Sequence, residues 1–203
     1  MFTVRGERVT LWLGGAALAF LAFVRVTREL FEGDVSAVDG TILHVVLEIR
    51  TPWLTSAAID LTALGSITLV VLFSVVTLAL LLVLRDRLGA LQLLAASVGA
   101  GVLTLLTKNM IERTRPAEAQ RLIIVSGFSY PSGHSVAISA LYLTIAIIAG
   151  RYVRHSGARA TLFLATSAVI IMVGASRVYL GVHYATDVLS GISLGAGWAL
   201  VLA

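Results

Sequence analysis

The chain has 203 residues, of which 58% are hydrophobic and only 13% are charged. A soluble globular domain carries about 25% charged residues, so this composition argues against a water-soluble enzyme and favours a protein embedded in lipid. The net charge is +4, but the basic residues are scattered between apolar segments, which favours anionic lipid over nucleic acid as a partner. The chain contains no cysteine, so disulfides and thiolate metal sites are excluded.

Apolar segments recur along the whole chain, and with their flanking residues each approaches the roughly 20 residues that a spanning helix needs. These segments are 9–24, 61–84, 88–107, 136–150, 160–175 and 188–203. They predict an all-α fold, a polytopic membrane helix bundle with about six transmembrane helices in one domain, 1–203. The longest uninterrupted segment is 61–84.

The two ends of the chain carry open questions. Arg5 and Arg8 precede an apolar stretch with Ala-Leu-Ala at 17–19, which is the layout of a cleavable signal peptide. The apolar run continues to Val24, which favours a retained helix. The sequence stops at Ala203 while it is still apolar, which leaves open whether a native tail is missing.

A mixed stretch follows the first predicted span. Residues 25–60 include six acidic residues and three arginines around an apolar cluster at 42–49. One interpretation is one or two short helices that lie at the membrane interface. The other is a solvated connector.

Charged and polar groups interrupt the apolar runs of the second half in three short blocks. They are Lys108-x6-Arg115-Pro116, Pro131-Ser132-Gly133-His134 and Ser176-Arg177-x5-His183-x3-Asp187. Charge is costly inside a membrane and usually functional there. The first two blocks lie around the third connection between predicted spans, and the last block lies around the fifth. Two spans separate these connections, so all three blocks are expected on one side of the membrane.

The cations of these blocks suit a phosphate group. Lys108, Arg115 and Arg177 could neutralise phosphoryl oxygens, and the guanidinium groups could do so with two hydrogen bonds each. The alternative for each is a charge that snorkels from a helix end to the interface. Three such charges on one face favour the phosphate site.

The second block is typical of a helix start, whose free N–H groups and positive dipole end attract anions. Gly133 would let a phosphate approach the backbone closely. His134 could give a proton to a leaving oxygen. An ordinary helix start without any ligand is the alternative.

His183 and Asp187 are four residues apart, so on a helix they would share one face. A carboxylate bonded to one ring nitrogen fixes the tautomer and leaves the other nitrogen free to attack phosphorus. A polar pair at the membrane boundary is one alternative. Metal ligation by His134, His183 and Asp187 is another, and it is disfavoured because the neighbouring cations would repel a divalent ion.

Every specified position of the three blocks resembles the signature of the type-2 phosphatidic acid phosphatase family, in its membrane-bound branch. The resemblance implies a lipid phosphate phosphatase in which His183 is the nucleophile that forms a phosphohistidine. It also implies that Asp187 orients His183, that His134 is the general acid, and that no metal or cofactor is needed. The phosphate-binding residues would be Lys108, Arg115, Ser132, Gly133 and Arg177.

Candidate substrates are a polyprenyl diphosphate such as undecaprenyl pyrophosphate, phosphatidylglycerol phosphate and phosphatidic acid. A lipid-to-lipid phosphotransferase and a transporter with a cationic headgroup pocket are the alternatives, and the oligomeric state is left open. Arginines of the short connections place the N-terminus in the cytoplasm, so a multi-pass protein of the cell (inner) membrane with an outward-facing site is expected. No role is assigned to Glu112, Arg113, Arg121 or Tyr184.

Overall fold

The structure, a computed structural model, describes the backbone of residues 2–203 and the side chains of residues 10–203. It contains eight α-helices and one short 3-10 helix, and no strand within the described residues. The helices are α1 Phe2–Glu32, α2 Val35–Glu48, α3 Pro52–Ala63, α4 Ile67–Val83, α5 Arg87–Ile111, α6 Gly133–Tyr152, α7 Ser156–Tyr179 and α8 Ala185–Val201. The prediction of an all-α membrane helix bundle is confirmed.

Not every helix is long enough to cross a bilayer. In the described residues α1, α5, α6 and α7 are long and apolar enough, and α3 with α4 makes a fifth span if this pair, bent by 43°, is counted as one. The apolar helix α8 has 17 residues. All six predicted segments therefore contain helix, while length and composition support four or five spans where about six were predicted.

The predicted continuous helix over 61–84 is wrong, because the chain breaks between α3 and α4. The Tyr142 hydroxyl donates to the carbonyl oxygen of Leu64 over 2.8 Å, and Ser66 is the N-cap of α4. A Cβ on Gly65 would lie 2.9 Å from Cδ2 of His134, so the glycine lets the break lie against the start of α6. The unbroken apolar run hid this break because its residues are equally suited to one long helix.

Close contact between α6 and α8 positions two of the sequence blocks. A Cβ on Gly195 of α8 would lie 2.4 Å from the carbonyl oxygen of Val136, and one on Gly191 would lie 2.7 Å from that of Ser132. Small residues allow such an approach between helices in lipid. As a result the start of α6 lies beside the start of α8, and the Ser132 amide donates to the Asp187 carbonyl oxygen over 3.0 Å.

Within the mixed stretch 25–60, residues 25–32 continue α1 and the rest forms α2 and most of α3, so the prediction of short helices is confirmed, while their place at the membrane interface stays a prediction. One face of α2 is buried in the protein and consists of Val35, Asp39 and Leu43. A neighbouring face is apolar and exposed, and consists of Val38, Ile42 and Val45, which the C-cap residue Ile49 extends. Such a helix suits the boundary between lipid and water.

Candidate active site

The three sequence blocks meet at one end of the bundle. Nη1 of Arg115, from the loop after α5, lies 3.1 Å from Nε2 of His183, from the loop before α8. His134, in the first turn of α6, lies within the electrostatic influence of Arg177, His183, Arg115 and Lys108. Residues that lie far apart in the sequence therefore surround one small volume.

His183 is buried, and its two ring nitrogens have different partners. Nδ1 lies 3.4 Å from Oδ2 of Asp187, while Nε2 lies 3.1 Å from Arg115. A guanidinium can only donate, so Nε2 accepts, and the ring proton resides on Nδ1 and points at the carboxylate. Burial lowers the pKa of His183 to about 4, although Asp187 opposes this shift. The imidazole is therefore neutral at pH 7, and its Nε2 lone pair faces Arg115.

Asp187 lies in the first turn of α8, and its side chain is fully buried. Oδ2 accepts hydrogen bonds from the Ser129 hydroxyl and, over 2.9 Å, from the Tyr184 amide. Oδ1 accepts from Nη1 of Arg113 over 2.6 Å. With so many donors the carboxylate is fixed in place and stays ionised.

The Arg115 guanidinium is held by backbone carbonyl groups. Its Nε donates to Gly127 over 2.8 Å, and its Nη1 donates to Val182 over 2.8 Å. Burial lowers the pKa of Arg115, although Asp187 opposes the shift. Because no carboxylate among residues 10–203 pairs directly with this guanidinium, its charge remains available to an anion.

Lys108 and Arg177 approach the same place from two helix ends. Nζ of Lys108, in the last turn of α5, donates to the carbonyl oxygen of Phe128 over 2.5 Å. Arg177, in the last turn of α7, is buried, and its Nη1 donates to Oγ1 of Thr62 over 2.7 Å. Neither cation has a carboxylate partner among the described residues, so both add to the positive charge of the site.

Ser132 begins α6 as its N-cap. Its hydroxyl oxygen accepts from the Ser135 hydroxyl over 3.0 Å, and its side chain is fully buried. Gly133 follows as the first residue of α6, and a Cβ there would lie 4.0 Å from Cε of Lys108. The free N–H groups of this helix start thus lie beside a cation, an arrangement that attracts anions.

The structure brings all eight predicted site residues together, and it adds side chains that the sequence did not reveal. Ser129, Arg113 and Asp39 form a connected group behind Asp187. The sequence could have indicated Asp39, because its carboxylate shares a helical face with two apolar residues, Val35 and Leu43. No sequence pattern indicated Arg113 or Ser129, because their partners are distant in sequence.

Metal ligation was the rival interpretation of His134, His183 and Asp187. Across residues 10–203, no group of three or more His, Cys, Asp or Glu side chains is arranged to hold a metal ion. These three residues therefore do not form a ligand set in this structure.

A neutral imidazole backed by a carboxylate and surrounded by cations, at one end of a membrane bundle, defines a membrane enzyme that handles phosphate esters. The chain belongs to the PAP2 superfamily, whose family model matches residues 89–203. It is a phosphatase of this superfamily, as the resemblance predicted.

Relatives of known activity share much of the sequence. The chain is 33% identical over 177 residues to phosphatidylglycerophosphatase B of Bacillus subtilis, and the match covers 87% of each protein. It is 32% identical over 115 residues to a lipid A 1-phosphatase of Rhizobium johnstonii, which covers 52% of this chain and 43% of that protein.

Solved structures show the same fold. The crystal structure of the transmembrane PAP2 type phosphatidylglycerolphosphate phosphatase from Bacillus subtilis matches with a TM-score of 0.86 at 31% identity, over 92% of this chain and 93% of that one. Aquifex aeolicus LpxE matches with a TM-score of 0.63 over 80% of this chain and 92% of that one, and at 23% identity this likeness concerns the fold alone.

Proposed function

We propose that this protein hydrolyses a phosphate ester of a membrane lipid through a phosphohistidine on His183, without a metal ion. The observation that carries the proposal is the pair of contacts on the His183 ring. Nδ1 faces Asp187 over 3.4 Å, and Nε2 faces the Arg115 guanidinium over 3.1 Å. The nucleophilic nitrogen is thus directed at the cation that would hold the phosphate.

In the first step the Nε2 lone pair of His183 forms a bond to phosphorus while the bond from phosphorus to the lipid oxygen breaks. His134 gives its proton to that oxygen, so the lipid leaves as an alcohol, or as a monophosphate if the substrate is a diphosphate. The Nδ1 proton stays on the ring, and Asp187 stabilises the positive charge that develops there.

Arg115 has to change partners in this step. Its N–H group, which donates to Nε2 of His183, must turn to a phosphoryl oxygen when a lipid phosphate enters. Lys108 and Arg177 would neutralise the other oxygens together with the N–H groups at the start of α6.

In the second step water attacks phosphorus, and the bond from phosphorus to Nε2 breaks. His134, now without its proton, takes one from the water, which returns both histidines to their starting state and releases inorganic phosphate. One residue serves as acid and then as base, as the two half-reactions require.

Phosphatidylglycerol phosphate is the lipid that the similarity favours. The relative that matches over 87% of the chain is a phosphatidylglycerophosphatase, whereas the lipid A 1-phosphatase match covers only 52%. Polyprenyl diphosphate and phosphatidic acid are the competitors to compare. A lipid-to-lipid phosphotransferase would instead move phosphate to an acceptor lipid without releasing it.

The test combines phosphate release with trapping of the intermediate. In detergent and excess EDTA, the purified protein should release phosphate from phosphatidylglycerol phosphate faster than from the other two lipids. Substrate with a radioactive phosphate should label the protein with an acid-labile, base-stable bond, and His183→Gln should abolish both label and turnover. His134→Ala should slow turnover by about 10²–10⁴-fold, since general acid–base help is lost.

The exposed residue His44, in α2, offers a matched control, and His44→Gln should retain labelling and turnover. Activity that EDTA removes and magnesium restores would contradict the metal-free mechanism. Turnover near the wild-type rate in His183→Gln would contradict the nucleophile.

A further inference from the structure

We propose that Asp39 and Arg113 are positioning residues, which together with Asp187 form a buried chain of alternating charges that keeps His183 productive. This inference rests on the proposed function, because it assigns the chain a role in phosphorylation of His183. It links the reaction centre to α2, a helix outside the three sequence blocks.

Arg113 bridges two carboxylates. Its Nη1 donates to Oδ1 of Asp187 over 2.6 Å, and its Nη2 donates to Oδ2 of Asp39 over 2.6 Å. The Tyr184 ring covers the guanidinium, with the central carbon 4.3 Å from the ring centroid. Burial disfavours the charge, but the carboxylates of Asp187 and Asp39 outweigh burial and raise the pKa of Arg113. All of these contacts fix one orientation of its planar fork.

Asp39 joins this bridge to the start of α8. The side chain is 1% exposed, and its Oδ1 accepts from the Thr186 amide over 3.0 Å. Its Oδ2 also accepts from the Thr186 hydroxyl. One side chain of α2 therefore holds both the guanidinium that contacts Asp187 and the residue that precedes Asp187.

The charges explain why two carboxylates are needed. Asp187 and Arg113 alone would cancel each other, and the imidazolium that forms on His183 would have no net counter-charge. With Asp39 the group carries one negative charge, which that imidazolium would neutralise. Electrostatic effects are strong in a buried site, and an unpaired buried charge is costly.

The negative charge of Asp39, Arg113 and Asp187 must also not repel the phosphate of the substrate. Asp187 is turned towards Arg113, Ser129, Tyr184 and His183, so its oxygens are all engaged. On the opposite edge of the ring Nε2 faces Arg115, the cation that would meet the substrate anion. A chain of this kind supplies charge to the nucleophile without repelling the substrate.

The variant Asp39→Asn tests the proposal, because it keeps the size of the side chain but removes its charge and replaces one of its two acceptor oxygens with an NH2 group. We expect kcat to fall by about 10–100-fold, the range typical when a group that orients a reacting side chain is lost. KM should change by less than about twofold. The rate of phosphohistidine formation in a single turnover should fall by the same factor. A loss of folded protein would reduce the number of labelled sites instead of the rate.

A double-mutant cycle shows whether Asp39 acts through Arg113. In an Arg113→Gln background, Asp39→Asn should change kcat by less than about twofold, because contacting residues in one network are not additive. Asp34→Asn is the matched control, since Asp34 lies at the start of the same helix, is exposed and makes no side-chain cap bond. It should leave kcat unchanged.

An Asp39→Asn protein with wild-type kcat overturns the proposal, and so do fully additive effects in the cycle. If Asp39→Asn does not fold, Arg113→Lys replaces it, because a lysine keeps the charge but cannot bridge both carboxylates with a planar fork. An unchanged kcat in that variant also overturns the proposal. Absence of phosphohistidine in the wild type would overturn the proposed function instead, so the two failures are distinguishable.

Discussion

His183 shows how its surroundings set the state of a single residue. The unperturbed pKa of histidine is about 6.5, and burial lowers that of His183 to about 4. Since the proposed mechanism needs an unprotonated Nε2 to attack phosphorus, this shift would keep the proposed nucleophile ready in neutral and mildly acidic conditions. The same shift affects stability, because the unfolded chain binds a proton between these two pH values while the folded protein does not.

We therefore predict that the His183 ring titrates with a midpoint near pH 4, as followed by NMR of histidine-labelled protein in detergent. The contribution of this residue to stability should be fully present above about pH 6.5 and should be lost as the pH falls towards 4. The spectrum of His183→Gln assigns the resonance. A midpoint near 6.5 would contradict the inferred burial.

The sequence predicted the residues of the site better than the contacts behind them. Lys108, His134 and His183 could be selected because charge and imidazole stand out in apolar surroundings. Asp39 and Arg113 could not be paired, because 74 residues separate them and only the packing of α2 against the start of α8 makes them neighbours. Local patterns identify chemical groups, whereas contacts between distant groups depend on the tertiary fold.

At the scale of helices, the close approach of α6 and α8 decides whether the site forms. α6 begins with the turn proposed to bind phosphate and α8 begins near Asp187, so a change in the separation of the two helices would move both. Gly191 and Gly195 of α8 allow this close contact, because neither has a side chain that would separate the helices. Sequence periodicity located both helices but missed the break at Gly65, since a continuous apolar run does not record where a tertiary contact bends the chain.

Gly195→Ala should lower stability by about 1–3 kcal/mol, the usual cost of overpacking, because the new Cβ would lie 2.4 Å from the Val136 carbonyl oxygen. Thermal unfolding in detergent measures the effect. Gly101→Ala in α5 is the control, because a Cβ there meets nothing within 4 Å and alanine favours helix. Equal midpoints for the two variants would show that α6 and α8 pack less closely at Gly195 than the 2.4 Å distance implies.

For the whole molecule, the ends of the helices divide the charges between two faces. The connection after α4 and the connection after α6 lie together, since the Tyr152 hydroxyl donates to Asp86 over 2.8 Å. Arg85 and Arg154 lie in these connections, and Arg87 and Arg151 lie in the adjoining ends of α5 and α6. The site lies at the opposite ends of α5, α6 and α7. Because short basic loops stay in the cytoplasm, the site is expected to face outwards.

Because the chain has no cysteine, single-cysteine variants can test this orientation directly. Glu118→Cys lies on the site face and His155→Cys on the basic face, and both positions are exposed. In intact cells a membrane-impermeant maleimide should label Glu118→Cys at once, but His155→Cys only after permeabilisation. The reverse pattern would contradict the outward orientation and leave the chemistry of the site unaffected.

The cationic side of the site has a further consequence for turnover. Lys108, Arg115 and Arg177 and the start of α6 hold the phosphoryl oxygens in every state of the proposed reaction, including the last. Free orthophosphate presents the same oxygens to the same donors, so the product is expected to leave slowly and to compete with fresh lipid. Product inhibition of this kind would lower the rate of dephosphorylation when the concentration of phosphate in the surrounding compartment rises.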